Sequence, residues 1–139
     1  MPSRKLAGRT IGDPDGSFVI AEWTEGPAPQ EGPRFVAPLH VHHRDDEAWY
    51  VLEGALRFRL DDEEREARAG EAVFAPRGTA HTYWNPGSDP ARYVLVMTPT
   101  IFALINAIHA ATERERDPKT LSALFAAFDS EILEDRSQR

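Results

Sequence analysis

Short extended runs, each closed by a turn signal, fill the first hundred residues of this chain. Phe18–Trp23 (FVIAEW) has the β-branched and aromatic content of a strand, and the Pro- and Gly-rich stretch Glu25–Pro33 after it reads as a loop. RFVAPLHVHH resumes an extended path, and AWYVLEG ends at Gly54. ALRFRL then alternates strictly, Leu56, Phe58 and Leu60 on one face and Arg57 and Arg59 on the other, as a half-buried strand requires. Asp61–Glu64 (DDEE) reads as a solvated polar turn, and EAVFAP, AHTYWN and ARYVLVMTP complete the set. Eleven prolines and nine glycines, mostly before residue 100, supply the punctuation. Many short strands separated by turns predict an all-β sandwich or barrel over about residues 15–99.

After Pro99 the period changes. Ile101, Leu104, Ile105 and Ile108 recur at helical spacing, and Leu121, Leu124, Phe125, Phe128 and Ile132 repeat the pattern. Two amphipathic helices are therefore expected over about 100–139, the second with Asp117 as N-cap and Pro118 at its first position. Their apolar stripes must be buried, either as plain packing on the barrel or as a lid over its mouth. With 139 residues, no internal repeat and no linker, the chain 1–139 is read as one domain.

Composition narrows the chemistry. The absence of cysteine removes disulfides, thiolate metal ligands and cysteine nucleophiles together. A net charge of −7 argues against a nucleic-acid binder. No apolar run is long enough to span a bilayer, and MPSRKLAGRTIGDPDG lacks the apolar stretch of a secretory signal, so the default expectation is a cytoplasmic protein. Neither a nucleophile-elbow serine nor a phosphate loop occurs, which leaves hydrolase and kinase readings without support.

Any metal must then be held by nitrogen and oxygen. His40 and His42 lie two apart, so on a strand they point the same way, roughly 6.6 Å apart along the chain. Glu47 follows across a turn and can add a carboxylate, and GEAVFAPRGTAHTYWN offers His81 after a turn made by Pro76 and Gly78. His43 has the opposite parity and is expected to face away, while Asp45 and Asp46 read as turn residues.

PLHVHHRDDEAWYVLEG resembles the first of the two cupin motifs, and GEAVFAPRGTAHTYWN, with Gly70, Pro76, Gly78, His81 and Asn85, resembles the second. The first motif's leading glycine has no match just before Pro38, since Gly32 lies a little too far upstream. The resemblance covers about residues 15–99. It implies a jelly-roll barrel and one divalent transition metal held by His40, His42, Glu47 and His81. That mixed set suits iron, manganese, nickel, copper, cobalt or zinc and leaves one or two coordination positions open. The short barrel most resembles the quercetin-dioxygenase-like group, in which the glutamate ligand can also act as a base, here Glu47. The implied function is a metal-dependent, dioxygenase-like oxidoreductase acting on a small aromatic or enolic molecule. The alternatives are a non-catalytic small-molecule-binding cupin and a metal-dependent isomerase or lyase.

If Glu47 and His81 point inward, so do Trp49 and Val51, and Tyr83 and Asn85, which either line a substrate pocket or fill the barrel. Tyr50, Leu52 and Trp84 then face out. Apolar residues on both parities of WYVLEG and RYVLVM predict an outer face covered by the tail helices or by a second subunit, with a homodimer as the expectation.

Overall fold

The computed structural model describes residues 6 and 8–133. Residues 1–5 and 7, part of the segment read above as lacking a signal, and residues 134–139, the end of the expected helical tail, lie outside the described residues. In chain order the strands are β1 (Thr10–Gly12), β2 (Val19–Glu25), β3 (His40–His42), β4 (Glu47–Glu53), β5 (Ala55–Leu60), β6 (Glu63–Arg68), β7 (Ala72–Ala75), β8 (His81–Trp84) and β9 (Ala91–Met97). Helix α1 (Pro99–Ala110), a single 3-10 turn (Glu113–Arg116), helix α2 (Pro118–Ala127) and strand β10 (Ser130–Ile132) follow.

Two five-stranded antiparallel sheets face each other, in the orders β1-β2-β9-β4-β7 and β10-β3-β8-β5-β6. This is the all-β sandwich or barrel that the punctuated strand pattern predicts, in the jelly-roll form that the cupin resemblance implies. Alternation decides which side chains enter the core. In β9, Ala91, Tyr93, Leu95 and Met97 are buried while the residues between them are only half-buried, and in β5 Leu56, Phe58 and Leu60 point inward as the sequence requires. Together with Trp49, Val51 and Tyr83 they form one cluster between the sheets, each large side chain contributing about 1.5–3 kcal/mol by leaving water. The β4–β5 turn needs glycine at Gly54: its φ is +76°, and a Cβ there would lie 2.7 Å from the Pro90 carbonyl oxygen.

Within the fold, three elements differ from the sequence reading. The polar turn is only Asp61–Asp62, and Glu63–Arg68 is an edge strand in which Ala67 alone is buried. Its charges hide it from an apolar alternation rule while protecting the edge from pairing with other chains. The second tail helix ends at Ala127. Asp129 takes a left-handed conformation, φ +56°, and turns the chain into β10, so Ile132 belongs to a strand rather than to the helical stripe. Trp84 is 9% exposed and packs edge-on against Phe35, at 5.2 Å between ring centres; the segment before β3 covers it.

The tail is otherwise built as expected. Asp117 caps α2 by accepting from the Thr120 amide at 3.0 Å, ahead of Pro118, and Thr98 caps α1 ahead of Pro99. Ile101 joins the barrel core, and Leu104 and Phe125 are buried with it beneath the two helices.

Candidate metal centre

Strand β3 carries His40 and His42 on its inner face, and β8 pairs with it in the register His40↔His81. These three imidazoles come from one sheet. Glu47 comes from the other, at the start of β4, where it pairs with Ala75 and Met97. The loop between β3 and β4 carries the chain from one sheet to the other in four residues. Pro76 and Gly78 do make the sharp turn before β8: Thr79 N donates to Pro76 O, Gly78 has φ +85°, and its amide donates to His42 O.

All four side chains are buried, between 2% and 6% exposed. His40 Nε2 lies 3.2 Å from His42 Nε2, while the two Glu47 oxygens lie 3.6 Å from His42 Nε2 and His81 Nε2 respectively. Two ligands held about 2.1 Å from one ion are separated by roughly 3.0 Å at right angles and 3.4 Å at the tetrahedral angle. The 3.2 Å spacing falls inside that range and the two 3.6 Å spacings lie just above it, and the ligating atoms of His40, His42 and His81 fall within 4.8 Å of one another.

The far sides of the rings explain why the Nε2 atoms are available. His40 Nδ1 donates to Pro38 O at 2.7 Å and His81 Nδ1 to Thr79 O at 2.9 Å. A carbonyl only accepts, so each Nδ1 carries the proton and each neutral Nε2 is a bare lone pair. His42 Nδ1 lies 2.7 Å from Ser130 Oγ on β10. His81 Nε2 is buried with no hydrogen-bond partner. Converging lone pairs beside a buried carboxylate repel one another until a cation sits between them, which fits a divalent metal.

The electrostatics favour positive charge beside Glu47, a proton on His81 or a metal ion in its place. Burial lowers the His40 pKa to about 3, helped by the neighbouring His81 and His42 rings, so His40 stays neutral. Burial pushes the Glu47 carboxyl up, but the facing His42 and His81 imidazoles more than reverse this and hold it at about 2. Burial pushes His81 down, and the Glu47 carboxylate reverses that too, raising His81 above its ordinary value. Three imidazoles and one ionised carboxylate with a divalent ion sum to a single positive charge, which favours an anionic oxygen at an open position.

Next to this cluster lies a cavity of about 140 Å³, with His40, His42 and Glu47 on one side. Trp23, Tyr83 and Leu95 from the barrel and Ile101, Leu104 and Phe125 from the two helices form much of its wall, with His109 also at its edge, and among the described residues no lysine or arginine lines it. The helices therefore both pack on the barrel and cover the cavity.

Of the four residues expected at the pocket, only Tyr83 reaches it. Trp49 and Val51 sit in the core, the Trp49 ring wedged against Phe58, Tyr83 and His81 at 5.1–5.5 Å. Asn85 lies beyond the end of β8 and is consumed by its own loop and the end of β2: Nδ2 donates to the Glu25, Gly26 and Asp89 carbonyls and Oδ1 accepts from Gly87 N. The parity rule stops where the strand stops. His43 faces out, its Nε2 3.3 Å from exposed Glu131. Asp45 and Asp46 do more than turn the chain, since Asp46 holds the Arg77 backbone and guanidinium and Asp45 accepts from Thr98. The helical stripe signalled Ile101, Leu104 and Phe125 as buried but not what they would face. Nothing in the sequence pattern marks Ser130.

Residues 31–97 match the family profile of the cupin domain. A tetracenomycin polyketide synthase protein of Streptomyces glaucescens is 38% identical over 60 residues, 43% of this chain and 40% of that protein. The matched stretches span less than half of the first curated relatives' lengths. Among solved structures, TT1209 from Thermus thermophilus superposes with a TM-score of 0.51 at 29% identity, over 60% of this chain and 73% of that one. A sugar phosphate isomerase from a cupin superfamily, from Silicibacter pomeroyi, gives 0.51 at 26% identity, over 60% and 51%.

Proposed function

On the premise of the cupin superfamily, which the domain match and the structural neighbours support, we propose that this chain is a metal-dependent enzyme of the dioxygenase kind. Its substrate is a small, apolar, aromatic or enolic molecule. The observation that carries the reading is a buried three-histidine, one-carboxylate cluster opening on a cavity with mostly apolar walls and, among the described residues, no lysine or arginine. A bound divalent metal would supply Lewis acidity, and a redox-active one the chemistry of dioxygen.

The chain's own residues do the rest. His40, His42, His81 and Glu47 are the ligand set. Glu47 also borders the cavity as an ionised carboxylate, placed to take up the proton of an enol hydroxyl as that oxygen becomes anionic. Trp23 and Tyr83 offer flat surfaces to a planar ring, and Ile101, Leu104 and Phe125 keep water out. The similarity to a polyketide synthase protein accords with an enolisable substrate. The reading includes a homodimer acting in the cytoplasm on a small molecule.

Isomerisation without oxygen is the second reading, favoured by the likeness to a sugar phosphate isomerase. The cavity weighs against a phosphorylated substrate, because among the described residues a phosphate dianion would find no lysine or arginine on its walls. Purified protein should carry about one divalent metal per chain, lost in His42→Ala and kept in His43→Ala. Protein loaded separately with iron(II), manganese(II), nickel(II), copper(II), cobalt(II) and zinc(II) should consume oxygen with flavonols, catechols or β-diketones only when the metal is redox-active. Turnover without oxygen uptake would replace the oxygenase reading with isomerisation or lysis, and tight binding without turnover would leave a binding protein.

A further inference from the structure

We propose that Ser130 is a positioning residue of the metal centre, fixing the tautomer and ring direction of His42 and so making metal binding depend on the docking of β10. The proposal rests on the metal reading of the cluster above.

Ser130 is 4% exposed, and its single hydroxyl hydrogen is already used, since Oγ donates to Phe128 O at 3.1 Å. With that hydrogen on Phe128 O, the 2.7 Å contact with His42 Nδ1 runs the other way, from the ring to Ser130 Oγ. That leaves His42 Nε2 as the bare lone pair aimed at His40 Nε2 and Glu47. His40 and His81 are held by carbonyls two residues before them in the chain. His42 is held instead from 88 residues away.

The backbone makes this contact specific. Strand β10 pairs with the ligand strand in the register Ser130↔His42 and Ile132↔His40. His43 N donates to Asp129 O and Leu133 N to Leu39 O, clamping both ends of the pairing. A slip of one residue would put Glu131 where Ser130 stands and turn the hydroxyl away. The same segment carries Phe125, whose ring meets the His40 ring edge-on at 5.5 Å and lines the cavity. One stretch of chain therefore closes the cavity and completes the orientation of a ligand.

The test uses the full chain with Ser130→Thr and Ser130→Val, which share shape and strand preference and differ in the hydroxyl. Cobalt(II) is titrated into metal-free protein, and its affinity and visible ligand-field spectrum are read out, with circular dichroism confirming the fold of each variant. Ser130→Thr should keep wild-type affinity and spectrum. Ser130→Val should lose roughly 10- to 100-fold in affinity, the range seen when the partner of a ligating histidine is removed, and should shift the spectrum. Equal affinity and spectrum in the two variants would overturn the positioning role while leaving the metal reading intact. Failure of the wild-type protein to bind cobalt(II) would overturn both.

Discussion

Thr98 Oγ1 donates a 2.8 Å hydrogen bond to the buried carboxylate of Asp45, and the same hydroxyl oxygen caps helix α1 by accepting from Ile101 N at 3.2 Å. Asp45 belongs to the loop that carries the chain from His42 to Glu47. One threonine thus joins the loop between metal-cluster strands to the helix that walls the cavity.

Thr98→Ala removes both bonds. Loss of an N-cap costs about 1 kcal/mol, and a buried acceptor left without its donor costs about another 1 kcal/mol or more. A loss of roughly 2 kcal/mol in urea unfolding is expected, with Thr98→Ser close to wild type. A Thr98→Ala protein as stable as wild type would mean that water replaces the hydroxyl and that the link contributes nothing to stability.

Helix α2 gives a pH signature. The Thr120 hydroxyl and amide, which donate to the Asp117 carboxylate, hold its pKa below the ordinary carboxylate value. A lowered folded pKa means that this stabilisation is present above the unfolded value near 3.8 and is lost as pH falls through the folded one. Asparagine caps about as well but does not titrate. The difference in Tm between wild type and Asp117→Asn should therefore shift against wild type on acidification. A difference that stays constant from about pH 7 to about pH 3 would contradict the cap's ionic character.

The outer face of the first sheet bears on the proposed homodimer. Register places Ile11, Ile20, Val96, Ala48 and Phe74 in one row across all five strands, with Val94 and Tyr50 paired in the next row. Phe74 is 58% exposed and Tyr50 45%, an apolar surface that a second copy would cover. If that face is the interface, the wild-type protein runs at twice 15.6 kDa and Phe74→Glu at 15.6 kDa, with little change in the thermal stability of its fold. A wild-type particle of 15.6 kDa at micromolar concentration would remove the proposal.

The parts of this molecule legible in the sequence are those governed by short-range pattern. Alternation marks β5, turn signals bound the apolar run of β9, a two-residue spacing puts His40 and His42 on one face, and turn chemistry sets His81 at the start of β8. What stayed hidden depends on distant segments. The hydroxyl of Ser130 becomes a partner of His42 only because β10 docks beside β3, and three residues carry no periodicity to read. Strand β6 hides behind its charges, since an edge strand has little to bury. Asn85 shares the parity of His81, but the strand ends at Trp84 and backbone carbonyls of Glu25, Gly26 and Asp89 claim its side chain.

Asp129 is the hinge on which that hidden segment turns. At φ +56° it occupies the left-handed region just after α2, where its amide donates to Ala126 O and its carbonyl accepts from His43 N. Asp is among the few non-glycine residues that visit this region, whereas holding a β-branched side chain there costs roughly 1–2 kcal/mol or more. Asp129→Gly should fold and bind metal as wild type does. Asp129→Val should lose stability by about that amount, and since relief of the strain pulls β10 away from β3, it should also weaken metal binding. Urea unfolding of the metal-free proteins and cobalt(II) titration separate the two effects. A valine variant that loses stability but keeps wild-type affinity would show that β10 stays docked despite the strained turn.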